Sequence, residues 1–125
     1  MPLRLERIDW MSSPPLAPDD GPIDIDHLER MTLGDLGLQR EVLGMFVEQA
    51  ARVVATLAAC PSNAGALAHT LKGSARGIGA FRVADLADTL EAALRRGGDA
   101  SQALAELREA VAEAHAAIEM ILRRT

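Results

Sequence analysis

From Ile23 onward the apolar residues of this chain return every three or four positions, the interval that collects them on one face of an α-helix. Asp24 is placed to cap a short helix carrying Ile25, Leu28 and Met31, which stops near Thr32, Leu33 and Gly34. Asp35 caps a long second helix running to about residue 59, with Val42, Leu43, Phe46, Ala50, Val53, Val54 and Leu57 on one face. Cys60 and Pro61 interrupt it. Ser62 or Asn63 caps a third helix that ends at Gly77 or Gly79, where closely spaced glycines favour a sharp turn. A fourth helix runs from Phe81 or Arg82 to Arg96, turning Val83, Leu86, Ala87, Leu90 and Leu94 inward before Gly97 and Gly98 end it. Asp99 and Gln102 stand at capping-box spacing ahead of a fifth helix, whose Leu104, Leu107, Val111, Ala114, Ile118 and Ile121 keep a near-heptad rhythm to about Arg123. Long amphipathic helices with short connections favour antiparallel neighbours. The expected fold is all-α, an antiparallel up-down-up-down four-helix bundle with a short extra N-terminal helix.

Residues 1–22 fall outside this rhythm. Pro14, Pro15, Pro18 and Pro22 defeat regular structure there, so the expected division is a flexible proline-rich segment over 1–22 and one helical domain over 23–125. A length of 125 residues suits a single core. That core has to be built from Leu, Val, Ile, Met and Ala, because the chain holds one Trp, two Phe and no Tyr. A formal net charge of −5 opposes general affinity for nucleic acid, whose phosphates ask for clustered Lys and Arg. The lone Cys60 rules out an intrachain disulfide and a multi-cysteine metal site, and no apolar run reaches membrane-spanning length. The first residues, with Arg4, Glu6, Arg7 and Asp9, lack the apolar middle of a secretion signal, so a soluble cytoplasmic protein is expected.

The chemistry-bearing stretch is residues 68–80, AHTLKGSARGIGA. At about 100° per residue, Leu67, Leu71, Ser74, Ala75 and Ile78 share one direction and His69 points the opposite way, into water. Lys72 and Arg76 lie on the histidine's side, one and two turns along, with Gly73 between them. A neutral imidazole is a good nitrogen nucleophile near pH 7, and flanking cations suit an anionic group that is received and handed on. Glycine inside a helix costs about 1 kcal/mol relative to Ala. At an exposed position its use is to let another backbone come close. His27 and His115 lack ligand spacing and a companion cysteine, and Gly77-Ile78-Gly79 follows no strand, so neither a metal site nor a dinucleotide loop is expected.

Ala68-His69-Thr70-Leu71-Lys72-Gly73-Ser74-Ala75 followed by Ile78-Gly79-Ala80 resembles the signature of histidine-containing phosphotransfer (HPt) domains, helical bundles that carry phosphoryl groups in multistep two-component relays. The resemblance extends over about residues 23–122, and the stretch from Leu33-Gly34-Asp35 to Phe46 is similar to the family's usual opening. It implies that His69 accepts a phosphoryl group from a receiver-domain aspartate and passes it to another, with Lys72 compensating the phosphoryl charge. Partner docking is expected at Gly73, Arg76 and Glu91; Arg82, Arg95 and Arg96 are the other positions open to a basic rim, but scattered surface charge is the favoured account of each and only Arg76 is singled out. In a hairpin turning near Ala80, Glu91 falls level with His69, where the family often carries a polar residue, frequently glutamine, that hydrogen-bonds the imidazole or the phosphoryl group. A glutamate repels bound phosphate, so it either points elsewhere or holds the ring only before phosphorylation. No cofactor is expected in the chain itself; any Mg²⁺ belongs to the partner receiver.

Two other classes share parts of the pattern. A histidine-kinase dimerisation and phosphoacceptor segment is also helical with an exposed histidine, but such segments usually follow it with an acidic residue and later a proline. Here Thr70 follows, and no proline comes after Pro61. An adaptor that docks receivers without carrying phosphate keeps the same surface and differs in not needing His69. Autonomous phosphorylation from ATP is not expected, because no phosphate-cradling glycine loop is present. The expected protein is a monomeric phosphocarrier whose partners are receiver domains of response regulators or hybrid histidine kinases, with neither nucleic acid nor membrane.

Overall fold

The computed structural model describes residues 21–124, so nearly all of the flexible proline-rich segment expected over 1–22 lies outside them. The described residues form five α-helices and no strand: α1 (Ile25–Met31), α2 (Leu36–Leu57), α3 (Ala64–Ile78), α4 (Phe81–Arg96) and α5 (Ser101–Arg124). α2 packs on α3 and α5, and α4 packs on the same two, so the four long helices close around one core while α1 lies against α3. No described helix is long and apolar enough to cross a membrane.

Local chemistry sets the helix ends. The Oδ1 atoms of Asp24 and Asp35 accept from the N–H groups of His27 and Leu38, both at 3.1 Å, and so start α1 and α2. The stops of α1, α3 and α4 are alike: the chain turns left-handed at Leu33, Gly79 and Gly97, and paired backbone bonds close each last turn. At the end of α3, Ala80 N–H donates to Ala75 C=O at 2.8 Å and Gly79 N–H to Arg76 C=O at 3.4 Å. Gly79 also carries the junction with α1. Its φ is +90°, Asp24 N–H donates to its carbonyl at 2.9 Å, and a Cβ there would meet the Asp24 carbonyl oxygen at 2.9 Å.

Two boundaries differ from the sequence expectation, and one expected cap lacks its side-chain bond. α5 begins at Ser101, so Gln102 is its second residue and cannot close a capping box with Asp99. Asp99 instead accepts from the N–H and hydroxyl of Ser101, and Gln102 donates to Glu106 at 3.0 Å. α2 stops at Leu57 because Cys60 adopts a φ of 52° just before Pro61. Asn63 occupies the cap position of α3 without a side-chain bond.

Leu28, Leu43, Leu71, Val83, Leu90, Leu107 and Ile118, drawn from all five helices, are fully buried. Alanine fills the space between: Ala68 and Ala75 on α3 and Ala84 and Ala87 on α4 are also inaccessible, and side chains this small let α3 and α4 pack closely. Ile25 and Met31 of α1 stay exposed, leaving Leu28 as that helix's single buried residue. Val42, Leu86, Leu94, Leu104, Val111 and Ile121 lie at the core's margin, partly buried.

Candidate functional site

The stripe of Ala68, Leu71, Ala75 and Ile78 turns into the core and leaves His69, Gly73 and Arg76 on the water side of α3. The His69 side chain is 66% exposed. Lys72 lies between stripe and water with its side chain only 15% exposed, because it runs towards α4 rather than outward. The register of the hairpin explains where it goes. Lys72 and Asp88 each stand eight residues from Ala80, and His69 and Glu91 eleven. Both pairs are in contact.

Lys72 Nζ donates to Asp88 Oδ1 and to Glu91 Oε1, each at 3.0 Å. Oε2 of Glu91 lies 3.2 Å from His69 Nδ1 and 3.6 Å from the guanidinium of Arg95. Glu91 is thus shared among three neighbours and 17% exposed, whereas Asp88 is 56% exposed. These contacts fix the charges. The hydrogen bond from Lys72, followed by its charge and that of His69, holds the Glu91 carboxyl below the usual range despite desolvation. The second hydrogen bond of Lys72, the one to Asp88, lowers that carboxyl too, helped by the charges of Lys72, Arg76 and Arg95. In return Asp88, and then Glu91, raise Lys72 above the ordinary lysine value. An ionised Glu91 has no proton to give, so the Nδ1 of a neutral His69 is the donor and Nε2 keeps the lone pair.

Gly73 is exposed, and a Cβ built there would meet nothing within 4 Å among the described residues. Packing among those residues therefore does not demand a glycine at this position; what it provides is bare backbone one turn from the imidazole. Arg76 is exposed one turn beyond Lys72 and adds positive field at Asp88. The wider basic rim does not assemble as a set. Arg82 pairs with Glu113 of α5 at 3.6 Å, Arg95 leans on Glu91, and Arg96 is exposed in the last turn of α4.

His69, Lys72 and Glu91 thus come together as a cluster, with Gly73 and Arg76 on its open side. Glu91 lies level with His69, where the hairpin length puts it, and of the two expected arrangements its carboxylate meets the ring rather than pointing elsewhere, set between the imidazole and the ammonium. Asp88 is the member that sequence reasoning missed. Its signal was its position three residues before Glu91, at the same distance from the turn as Lys72. The other histidines stay apart: the His27 ring meets Phe81 edge-on with centroids 5.0 Å apart, and His115 Nε2 lies 3.2 Å from Glu119. Among the described residues no cluster of His, Cys, Asp and Glu could hold a metal ion.

Comparison with known proteins bears on the same cluster. The Hpt domain model matches residues 41–119. The crystal structure of the histidine phosphotransferase ShpA from Caulobacter crescentus is similar, with a TM-score of 0.68 and 30% sequence identity, over 83% of this chain and 93% of that one. Among curated proteins nothing matches. The matched family region takes in all of α3 and α4, and with them the imidazole, the ammonium and both carboxylates. A helical bundle that carries this cluster on those two helices belongs to the Hpt domain family, whose work is histidine phosphotransfer with receiver domains in two-component phosphorelays.

Proposed function

We propose that His69 Nε2 is the atom that takes and gives the phosphoryl group. The observation that carries this reading is an exposed ring whose Nδ1 lies 3.2 Å from the Glu91 carboxylate, an arrangement in which the neutral ring carries its proton on Nδ1 and turns the lone pair of Nε2 to water. In the transfer, the P–O bond of the receiver's aspartyl phosphate breaks as the Nε2–P bond forms, and the freed carboxylate stays on the receiver. Nδ1 keeps its hydrogen, so the ring gains positive charge as Nε2 gives its lone pair to phosphorus. Glu91 beside Nδ1 stabilises that charge, which a glutamine at the same place would do less well. The retained proton also keeps the imidazole a good leaving group when the phosphoryl moves on. Repulsion between Glu91 and the phosphoryl group is offset by Lys72 and Arg95, which sit on its two oxygens.

Lys72 supplies positive charge to the phosphoryl oxygens. Gly73 receives the partner by clearance and Arg76 by facing the acidic rim of a receiver's phosphoacceptor pocket. Mg²⁺ is brought by the receiver and no cofactor is held by this chain. The protein works as a cytoplasmic monomer, its domain over 23–125 forming an antiparallel up-down-up-down bundle with α1 as the added short helix. Its partners are receivers of response regulators or hybrid kinases, and it uses neither nucleic acid nor membrane.

The test is a phosphotransfer assay in which a purified receiver domain, charged with acetyl phosphate, is mixed with this protein. Acid-labile, base-stable label should appear on the wild type and vanish from His69→Gln, with receiver binding retained. Label at undiminished stoichiometry on His69→Gln overturns the assignment. A His69→Gln protein that still sustains relay output in cells favours the adaptor reading instead.

A further inference from the structure

We infer that Asp88 is a positioning residue that sets how firmly the phosphoryl group is held, by competing with it for the Lys72 ammonium. The inference rests on His69 being the phosphoryl carrier. Lys72 has three N–H donors, and two of them are committed to carboxylates at 3.0 Å. The two carboxylates are not equivalent. Glu91 is 17% exposed and is also held by His69 and Arg95, so pulling Lys72 away from it strips charge compensation from a poorly hydrated group. Asp88 is 56% exposed; water replaces the ammonium there easily, and the fields of Arg76 and Arg95 remain.

When anionic phosphoryl oxygens arrive at Nε2, the bond to Asp88 is therefore the one that gives way. Some of the attraction that Lys72 offers the phosphoryl group is cancelled by what it loses at Asp88. A carrier has to release its cargo as readily as it accepts it, and a competing carboxylate weakens the hold without removing the cation. The pairing is built into the hairpin, since Lys72 and Asp88 stand at equal distances from the turn.

The experiment mixes this protein with a purified receiver domain charged by acetyl phosphate, lets transfer reach equilibrium, and reads the ratio of phosphohistidine to aspartyl phosphate. Asp88→Asn should raise that ratio about two- to five-fold, the scale of one exposed ion pair. Asp88→Glu, which keeps the carboxylate, should restore the wild-type ratio. In a Lys72→Ala background the Asp88→Asn substitution should lose most of its effect, because Asp88 acts through Lys72. An unchanged or lower ratio overturns the inference, as does an equal rise with and without Lys72, which would be plain repulsion. With the wild type charged normally on His69, those results sink the role of Asp88 alone. A wild type that takes no label sinks the His69 assignment and this inference together.

Discussion

Replacing Gly73 with glutamine should stabilise the fold and weaken transfer at the same time, and no purely structural effect gives both signs. The position is inside α3, exposed, with nothing among the described residues within 4 Å of a built Cβ, so no clash with them opposes the gain in helix propensity. Gly costs about 0.8–1.0 kcal/mol relative to Ala and Gln only slightly more than Ala, which leaves a gain of about 0.7 kcal/mol and a rise of about 3–5 °C in melting midpoint. On the docking side, a side chain inserted where two backbones meet costs about 1–3 kcal/mol, so receiver affinity should fall about five-fold or more. Thermal unfolding followed by circular dichroism measures the first effect. Transfer rates over a series of receiver concentrations measure the second, which should appear as a higher half-saturating concentration with the limiting rate largely kept. A stabilised protein with an unchanged half-saturating concentration would show that no partner approaches Gly73. A destabilised protein would contradict the open space around it.

Lys72→Ala should slow transfer about ten- to hundred-fold while leaving the helical signal intact, since the ammonium acts on the reacting phosphoryl group; an unchanged rate removes it from the site. Glu91 and Asp88 both titrate below their usual values in the folded protein, so their contribution to stability is present at neutral pH and is lost as pH drops below about 4.5 through their lowered values. Urea midpoints measured against pH should therefore decline on the acid side, less steeply in an Asp88→Asn, Glu91→Gln double variant, and equal slopes would refute the linkage. Gly79→Ala forces a side chain into a φ of +90° and against the Asp24 carbonyl at 2.9 Å, which should cost about 2 kcal/mol or more by chemical denaturation. A loss below about 0.5 kcal/mol would mean that the α1 and α3 ends do not meet as described.

Helices were legible because an amphipathic period and a capping residue act within a few positions of one another. Asp24 and Asp35 cap where their places ahead of apolar runs predict, and Leu43, Phe46, Ala50, Val53 and Leu57 are buried as the period of α2 requires. Boundaries set by turn geometry were less so. The start of α5 depends on how the chain leaves Gly97 and Gly98, and a shift of one residue there was enough to exchange a capping box for the Asp99 contact with Ser101.

Sequence by itself determined that His69 faces water and that Lys72, Gly73 and Arg76 follow it along α3, because neighbours three and four apart on one helix are placed by the backbone alone. It also brought Glu91 level with His69 through the length of the hairpin. Only the tertiary structure decided that Glu91 takes Nδ1 and that Lys72 is divided between Glu91 and Asp88. Those contacts cross from one helix to another, and they depend on how α4 is rotated about its own axis after the left-handed turn at Gly79. That rotation goes with the close packing of α3 on α4 and the full burial of Ala68 and Ala75 on one and Ala84 and Ala87 on the other, a fit that the spacing within either helix does not contain.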